Sequence, residues 1–165
     1  MAVKFKGNIV KLVGKELHIS DDAPVVMLVG KDLSTIEIGG TQDKYQIINV
    51  VPSLDTGVCA TQTRKFNQEA ASLKNARVFV VSMDLPFAQG RFCSAEGIDN
   101  ICVASDFRKK EFGKSYGVLL GDSPLEGLLS RAVFVVNPQG KIIYKEICEE
   151  ITNEPDYQAP LRVIQ

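Results

Sequence analysis

Much is missing from this 165-residue chain, and each absence narrows what it can do. An excess of one charge is missing: 19 Lys and Arg stand against 20 Asp and Glu, a net charge of −1. A nucleic-acid protein shows a basic face or stripe, so no nucleic-acid partner is expected. Long-range steering of an anionic substrate is also excluded as a design feature. No apolar run approaches the ~20 residues that span a bilayer, so no membrane partner is expected. Met1-Ala2-Val3-Lys4-Phe5-Lys6-Gly7 lacks the apolar stretch of a secretory signal, which points to a cytoplasmic protein. Histidine is nearly absent, with His18 alone, and the four cysteines (Cys59, Cys93, Cys102 and Cys148) form no C-x-x-C. Clustered ligands at short spacing are therefore lacking, and neither a metal nor a cofactor is expected. Repeats, low-complexity segments and linkers are also missing. Residues 1–165 read as a single domain, long enough for a real core.

What remains is the thiol. A permanent disulfide framework is not expected in a cytosolic chain of this size, which leaves redox or nucleophilic chemistry at one or two cysteines. Cys59 stands out. It closes Val51-Pro52-Ser53-Leu54-Asp55-Thr56-Gly57-Val58-Cys59, between a strand-like run (Tyr45–Val51) and a helix-like run (Val58–Leu73). That places it in the first turn of a helix, where backbone N–H groups are unpaired and the dipole is positive. Thiols at helix N-termini ionise readily, and thiolate is the reactive form.

The rest of the chain supplies a scaffold. The first twenty residues alternate around Gly7-Asn8 and Gly14-Lys15, predicting an N-terminal β-hairpin that ends at Ser20-Asp21-Asp22. Pro24–Val29 and Leu33–Ile38 are short apolar pieces. In Thr61–Leu73, Phe66, Ala70 and Leu73 share one helical face, and Arg77–Met83 reads as a second buried strand. Strand, helix and strand make a right-handed βαβ unit. Pro86–Ile98 reads as partly helical, Ile101–Ser105 as a short edge strand, and Asp106–Lys114 as a short helix. Ala132–Val136 and Lys141–Lys145 flank Asn137-Pro138-Gln139-Gly140 as a β-hairpin, and Pro155 opens a C-terminal helix that Pro160 interrupts. A parallel half and an antiparallel half together predict an α/β, thioredoxin-like fold, with a mixed central sheet flanked by helices.

Pro52-x-x-x-Thr56-x-x-Cys59 resembles the peroxidatic motif of the peroxiredoxins, and Pro52–Cys59 as a whole resembles their thiol peroxidase branch. Three further stretches agree in order: Ser82–Gln89 ahead of Arg91-Phe92-Cys93, Ser105–Arg108 with Phe112-Gly113 and Tyr116-Gly117-Val118, and Leu128–Val135. The resemblance implies that Cys59 is the peroxidatic cysteine and Cys93 the resolving cysteine of the same subunit. It implies that Thr56 hydrogen-bonds thiolate and peroxide, that Arg131 holds the thiolate and polarises the peroxide, and that Pro52 shields the sulfur. It also implies a hydroperoxide substrate (hydrogen peroxide or organic), a Cys59 sulfenic acid, an intrachain disulfide, thioredoxin as reductant, and a homodimer. Cys102 and Cys148 match no role and read as buried or incidental.

Chemistry explains the need for more than a thiol. Lowering a cysteine pKa from ~8.5 to ~6 raises the thiolate fraction at neutral pH about thirtyfold. A Brønsted slope of ~0.4–0.5 takes back about tenfold to twentyfold in nucleophilicity. The net gain is about twofold to threefold, so orientation and stabilisation of the leaving oxygen must carry the rate. Thr56, first-turn N–H groups and Arg131 are suited to that, arginine because it stays charged and offers a planar fork of donors.

Simpler readings stand beside these. Thr56 reads equally well as a helix N-cap, with Asp55 as the alternative cap. Arg131 could be a surface charge, and Pro52 only a strand terminator. Phe87, Phe92 and Leu120 are candidates for the pocket wall. Two rival classes remain: a cysteine hydrolase using Cys59 with His18, and a non-catalytic thioredoxin-fold binding module.

Overall fold

The computed structural model describes residues 1–164. Ten strands and four helices follow in the order β1 (Ala2–Phe5), β2 (Asn8–Val13), β3 (Val26–Gly30), β4 (Thr35–Ile38), β5 (Tyr45–Val50), α1 (Gly57–Ala70), β6 (Ala76–Ser82), α2 (Pro86–Glu96), β7 (Cys102–Ser105), α3 (Glu111–Ser115), β8 (Leu119–Leu120), β9 (Ala132–Val136), β10 (Ile142–Ile147) and α4 (Ala159–Arg162). A seven-stranded sheet has the order β10-β9-β5-β6-β7-β3-β4, and a three-stranded sheet has the order β1-β2-β8.

The central strands are apolar at nearly every position because both sheet faces are covered. Side chains alternate across the faces with period 2. Ile48, Val50, Phe79, Val81, Ala104 and Phe134 pack into one core cluster. Ile47, Val78, Val133 and Val135 pack on the other face with Phe66 of α1. Strands β5, β6 and β7 pair in parallel, as the βαβ pattern requires, and β9 joins β5 antiparallel.

Three expectations need correction. Ile101–Ser105 is not an edge: β7 lies between β6 and β3, because the β3–β4 hairpin pairs onto its free side. The N-terminal hairpin ends at Val13 rather than near Ser20, since β2 turns to pair with β8. Its turn is Lys6-Gly7, both at positive φ (51° and 82°), as a tight two-residue hairpin turn demands. Pro155 opens no helix. Pro160 lies in the first turn of α4, where its missing N–H costs nothing.

Candidate active site

Three strand ends meet at one rim of the large sheet. Val50 near the end of β5 pairs with Val81 near the end of β6 and with Ala132 at the start of β9. The register therefore gathers Pro52–Thr56, Ser82–Asp84 and Arg131 in one place.

Thr56 occupies the N-cap of α1 in an extended conformation (φ −102°, ψ 149°). Its hydroxyl donates back to the Ser53 carbonyl at 3.1 Å, and no side chain caps the helix. Neither Thr56 nor Asp55 fills the capping role, so no cap satisfies the first-turn N–H groups.

Cys59 is the third residue of α1 and is 0% exposed. It packs in a cluster with Val51, Leu54, Val80, Cys93, Ile98 and Val103. The sulfur is thus covered by apolar packing. The reason is helical period: Cys59, Gln62, Thr63 and Phe66 form the buried face of α1, while Gly57 and Val58 face an adjoining cavity.

That cavity has a volume of about 250 Å³. Pro52, Thr56 and Arg131 line it, together with Phe5, Leu125 and Leu128. Phe87, Phe92 and Leu120 do not. The wall comes instead from Leu125 and Leu128 ahead of β9, Ile151 after β10 and Phe5 of the N-terminal hairpin, which is stitched to the chain after β10. Lys4 N–H donates to Glu149 at 2.7 Å, and Ile151 N–H donates to Lys4 at 2.8 Å. No local pattern in the sequence signals such a long-range seam.

Arg131 is 3% exposed. Its Nε donates to the Ile151 carbonyl at 2.7 Å and its Nη1 to Gln62 Oε1 at 2.9 Å. Both acceptors are neutral, and among the described residues Arg131 forms no ion pair. A buried charge without a counter-charge is costly. It stands ready for an anion or for negative charge that develops during a reaction. Gln62 escapes the sequence reading; its signal is a polar residue three places after Cys59, on the same helical face.

Cys93 is 5% exposed, and its carbonyl accepts the Gly97 N–H that caps α2. Burial pushes its thiol pKa up, against the opposing charge of Lys31 and with a small contribution from Cys102 in the same direction. Cys59 and Cys93 share an apolar cluster, and both are free thiols. An Arg64–Glu96 ion pair at 3.2 Å ties α1 to the end of α2.

The other cysteines are set apart. Cys102 packs against the opposite sheet face, with its pKa raised by burial. Cys148 is buried beyond β10, and burial pushes its pKa to about 11. His18 has a side chain 69% exposed, near Glu16 and Asp21, and does not line the cavity. The hydrolase reading therefore lacks its base. Among the described residues no cluster of His, Cys, Asp or Glu could hold a metal, and no helix is long and apolar enough to cross a membrane.

Known proteins resemble this chain over most of its length. The Redoxin family matches residues 19–161. A thiol peroxidase of Campylobacter jejuni is 61% identical over 154 residues, covering 93% of this chain and 87% of the relative. A thiol peroxidase of Aquifex aeolicus is 52% identical over 155 residues, covering 94% and 91%. The crystal structure of a peroxiredoxin-like protein from Aquifex aeolicus superposes with a TM-score of 0.96 at 48% identity, covering 99% of this chain and 95% of that one.

Proposed function

Since the chain belongs to the thiol peroxidase branch of the peroxiredoxin family and is a peroxidase of thioredoxin-like fold, we propose that it reduces hydrogen peroxide and organic hydroperoxides through Cys59. The Cys59 thiolate attacks one peroxide oxygen. The O–O bond breaks, the other oxygen leaves as alkoxide or hydroxide and takes up a proton, and Cys59 becomes a sulfenic acid. Cys93 then attacks that sulfur, water leaves, and an intrachain disulfide forms. Thioredoxin reduces the disulfide. The same reading makes the protein a cytoplasmic homodimer.

The observation that carries the reading is Arg131: a buried guanidinium held only by neutral acceptors, on a cavity wall shared with Pro52 and Thr56. Such a group gains most when negative charge grows on the leaving oxygen. Gln62 fixes it to the helix that carries Cys59. Pro52 offers no N–H and covers the approach with apolar surface. The apolar wall of Phe5, Leu125 and Leu128 suits the organic part of a hydroperoxide. The raised pKa of Cys93 keeps it a neutral thiol until its surroundings open, so it does not compete with Cys59 for peroxide.

The test is peroxide-dependent NADPH consumption with thioredoxin and its reductase. Cys59→Ser should abolish turnover, by about 10⁴-fold or more. Cys93→Ser should allow one equivalent of peroxide to react and then stall. Full turnover by either variant overturns the assignment of that cysteine.

A further inference from the structure

The Asp84 carboxylate has no part in the chemistry above, yet three donors converge on it. Ser53 Oγ donates to Oδ1 at 2.8 Å, while Leu54 N–H (2.8 Å) and Ser82 Oγ (2.7 Å) donate to Oδ2. Its own N–H donates to Ser82 Oγ at 3.2 Å, and its carbonyl accepts from Ser105 Oγ at 2.6 Å. Gln89 Nε2, in the first turn of α2, donates to Ser82 Oγ at 3.1 Å. Ser53 and Leu54 belong to the loop that enters α1 and Cys59. Asp84 lies two residues before Pro86, where the chain enters α2 and Cys93. One carboxylate therefore clasps the approach to one cysteine to the approach to the other.

We propose that Asp84 is a positioning residue whose clasp holds the dithiol arrangement and must open as the Cys59–Cys93 disulfide forms. This rests on the reading of those two cysteines as the reacting pair. Disulfide formation joins Cys59 S–OH and Cys93 S–H with loss of water, and needs the two Cα atoms within about 7 Å and suitably directed Cβ atoms. Both thiols sit on packed helices, Cys59 in the first turn of α1 and Cys93 in the last turn of α2. Leu54 is the link. Its side chain packs in the cluster that holds both cysteines, while its backbone N–H is bound to Asp84. A shift of either sulfur toward the other repacks Leu54 and pulls on that bond. The clasp then belongs to the dithiol form alone. Weakening it destabilises the dithiol relative to the disulfide and displaces the thiol–disulfide equilibrium toward the disulfide.

The experiment equilibrates the full chain in dithiothreitol redox buffers and reads the Cys59–Cys93 bond by peptide mapping. Asp84→Asn turns an amide NH₂ toward groups that are themselves donors, so at least one loses its acceptor. The expected shift toward disulfide is about tenfold. Ser53→Ala removes one donor and should shift it by about threefold, and Ser53→Thr, which keeps the hydroxyl, should restore most of the wild-type value. Thermal unfolding is recorded alongside. Variants that melt earlier but keep the wild-type equilibrium constant show a purely structural carboxylate and overturn the proposal. Should Asp84→Asn fail to fold, the two Ser53 variants decide by the same criterion. A wild-type chain that never forms the Cys59–Cys93 bond overturns the pairing of the cysteines, an outcome visible before any variant is compared.

Discussion

The two helices that carry the cysteines are held in different ways. α2 is delimited by residues of its own. Pro86 stands at its start, and Gly97 ends it at φ 65° with its N–H bonded to the Cys93 carbonyl. α1 has no such punctuation: no proline starts it, its C-cap is Ala71 in the right-handed conformation, and its N-cap side chain bonds none of its own N–H groups. It is fixed from elsewhere, by Asp84 on Leu54 and by Arg131 on Gln62, partners 30 and 69 residues distant. A helix that ends in local caps needs only to exist. On the proposed function the first turn of α1 receives an anion, and such a turn is better left uncapped and positioned by tertiary contacts.

The difference can be tested most severely at Arg131. Arg131→Met should lower the rate of the first peroxide reaction by about 10²–10³, the usual cost of losing a donor to a developing oxyanion. Stopped-flow rates set beside a titration of the reactive thiol measure it, and a loss explained wholly by thiol acidity would defeat the role in charge stabilisation. Amide exchange in α2 should be unaltered, since nothing in α2 bonds to Arg131.

A smaller effect is expected at Gly97, on the locally capped helix. No atom lies within 4 Å of where its Cβ would be, so Gly97→Ala meets backbone strain alone. The left-handed conformation costs a β-carbon about 1 kcal/mol, which lowers the melting temperature by roughly 2–5 °C. The rate of the first peroxide reaction should not change. A large rate loss in this variant would erase the contrast between the helices.

The smallest effect concerns the seam that anchors Arg131 through Ile151. Glu150 accepts the Thr152 N–H (3.0 Å) and the Gly7 N–H (2.9 Å), which draw its carboxyl down to about 2 from an ordinary 4.5. The folded value lies below the unfolded one, so the contribution is complete above pH 4.5 and fades as pH falls toward 2. Over that interval the Gly7 and Thr152 amides should lose protection before those of α2. Loss of protection in α2 first would contradict this order.

Several elements are legible in the chain because their signals are local. The run Tyr45–Val51, the helical period after it and the run Arg77–Met83 give β5, α1 and β6 within a few residues. Asn137-Pro138-Gln139-Gly140 announces the β9–β10 turn. The strand rank of β7 is not legible, because Cys102–Ser105 is too short to show whether a further strand pairs beside it. Phe5 and Leu125 are not legible as cavity residues either, being brought there by pairing across most of the chain. Gln62 leaves a faint trace, a polar side chain at an offset of three from Cys59 on a buried face.

By itself, then, the order of residues determined the βαβ core, the placement of Cys59 in a helical first turn and the class of chemistry, because hydrophobic period, turn residues and the motif around a cysteine are properties of neighbours in the chain. Only the tertiary structure decided that Cys59 is covered rather than open, that Arg131 is buried on neutral acceptors at the wall of the adjoining cavity, and that Asp84 joins the paths to both cysteines. Those facts depend on which strand ends share a rim, and strand register links residues that no local pattern connects.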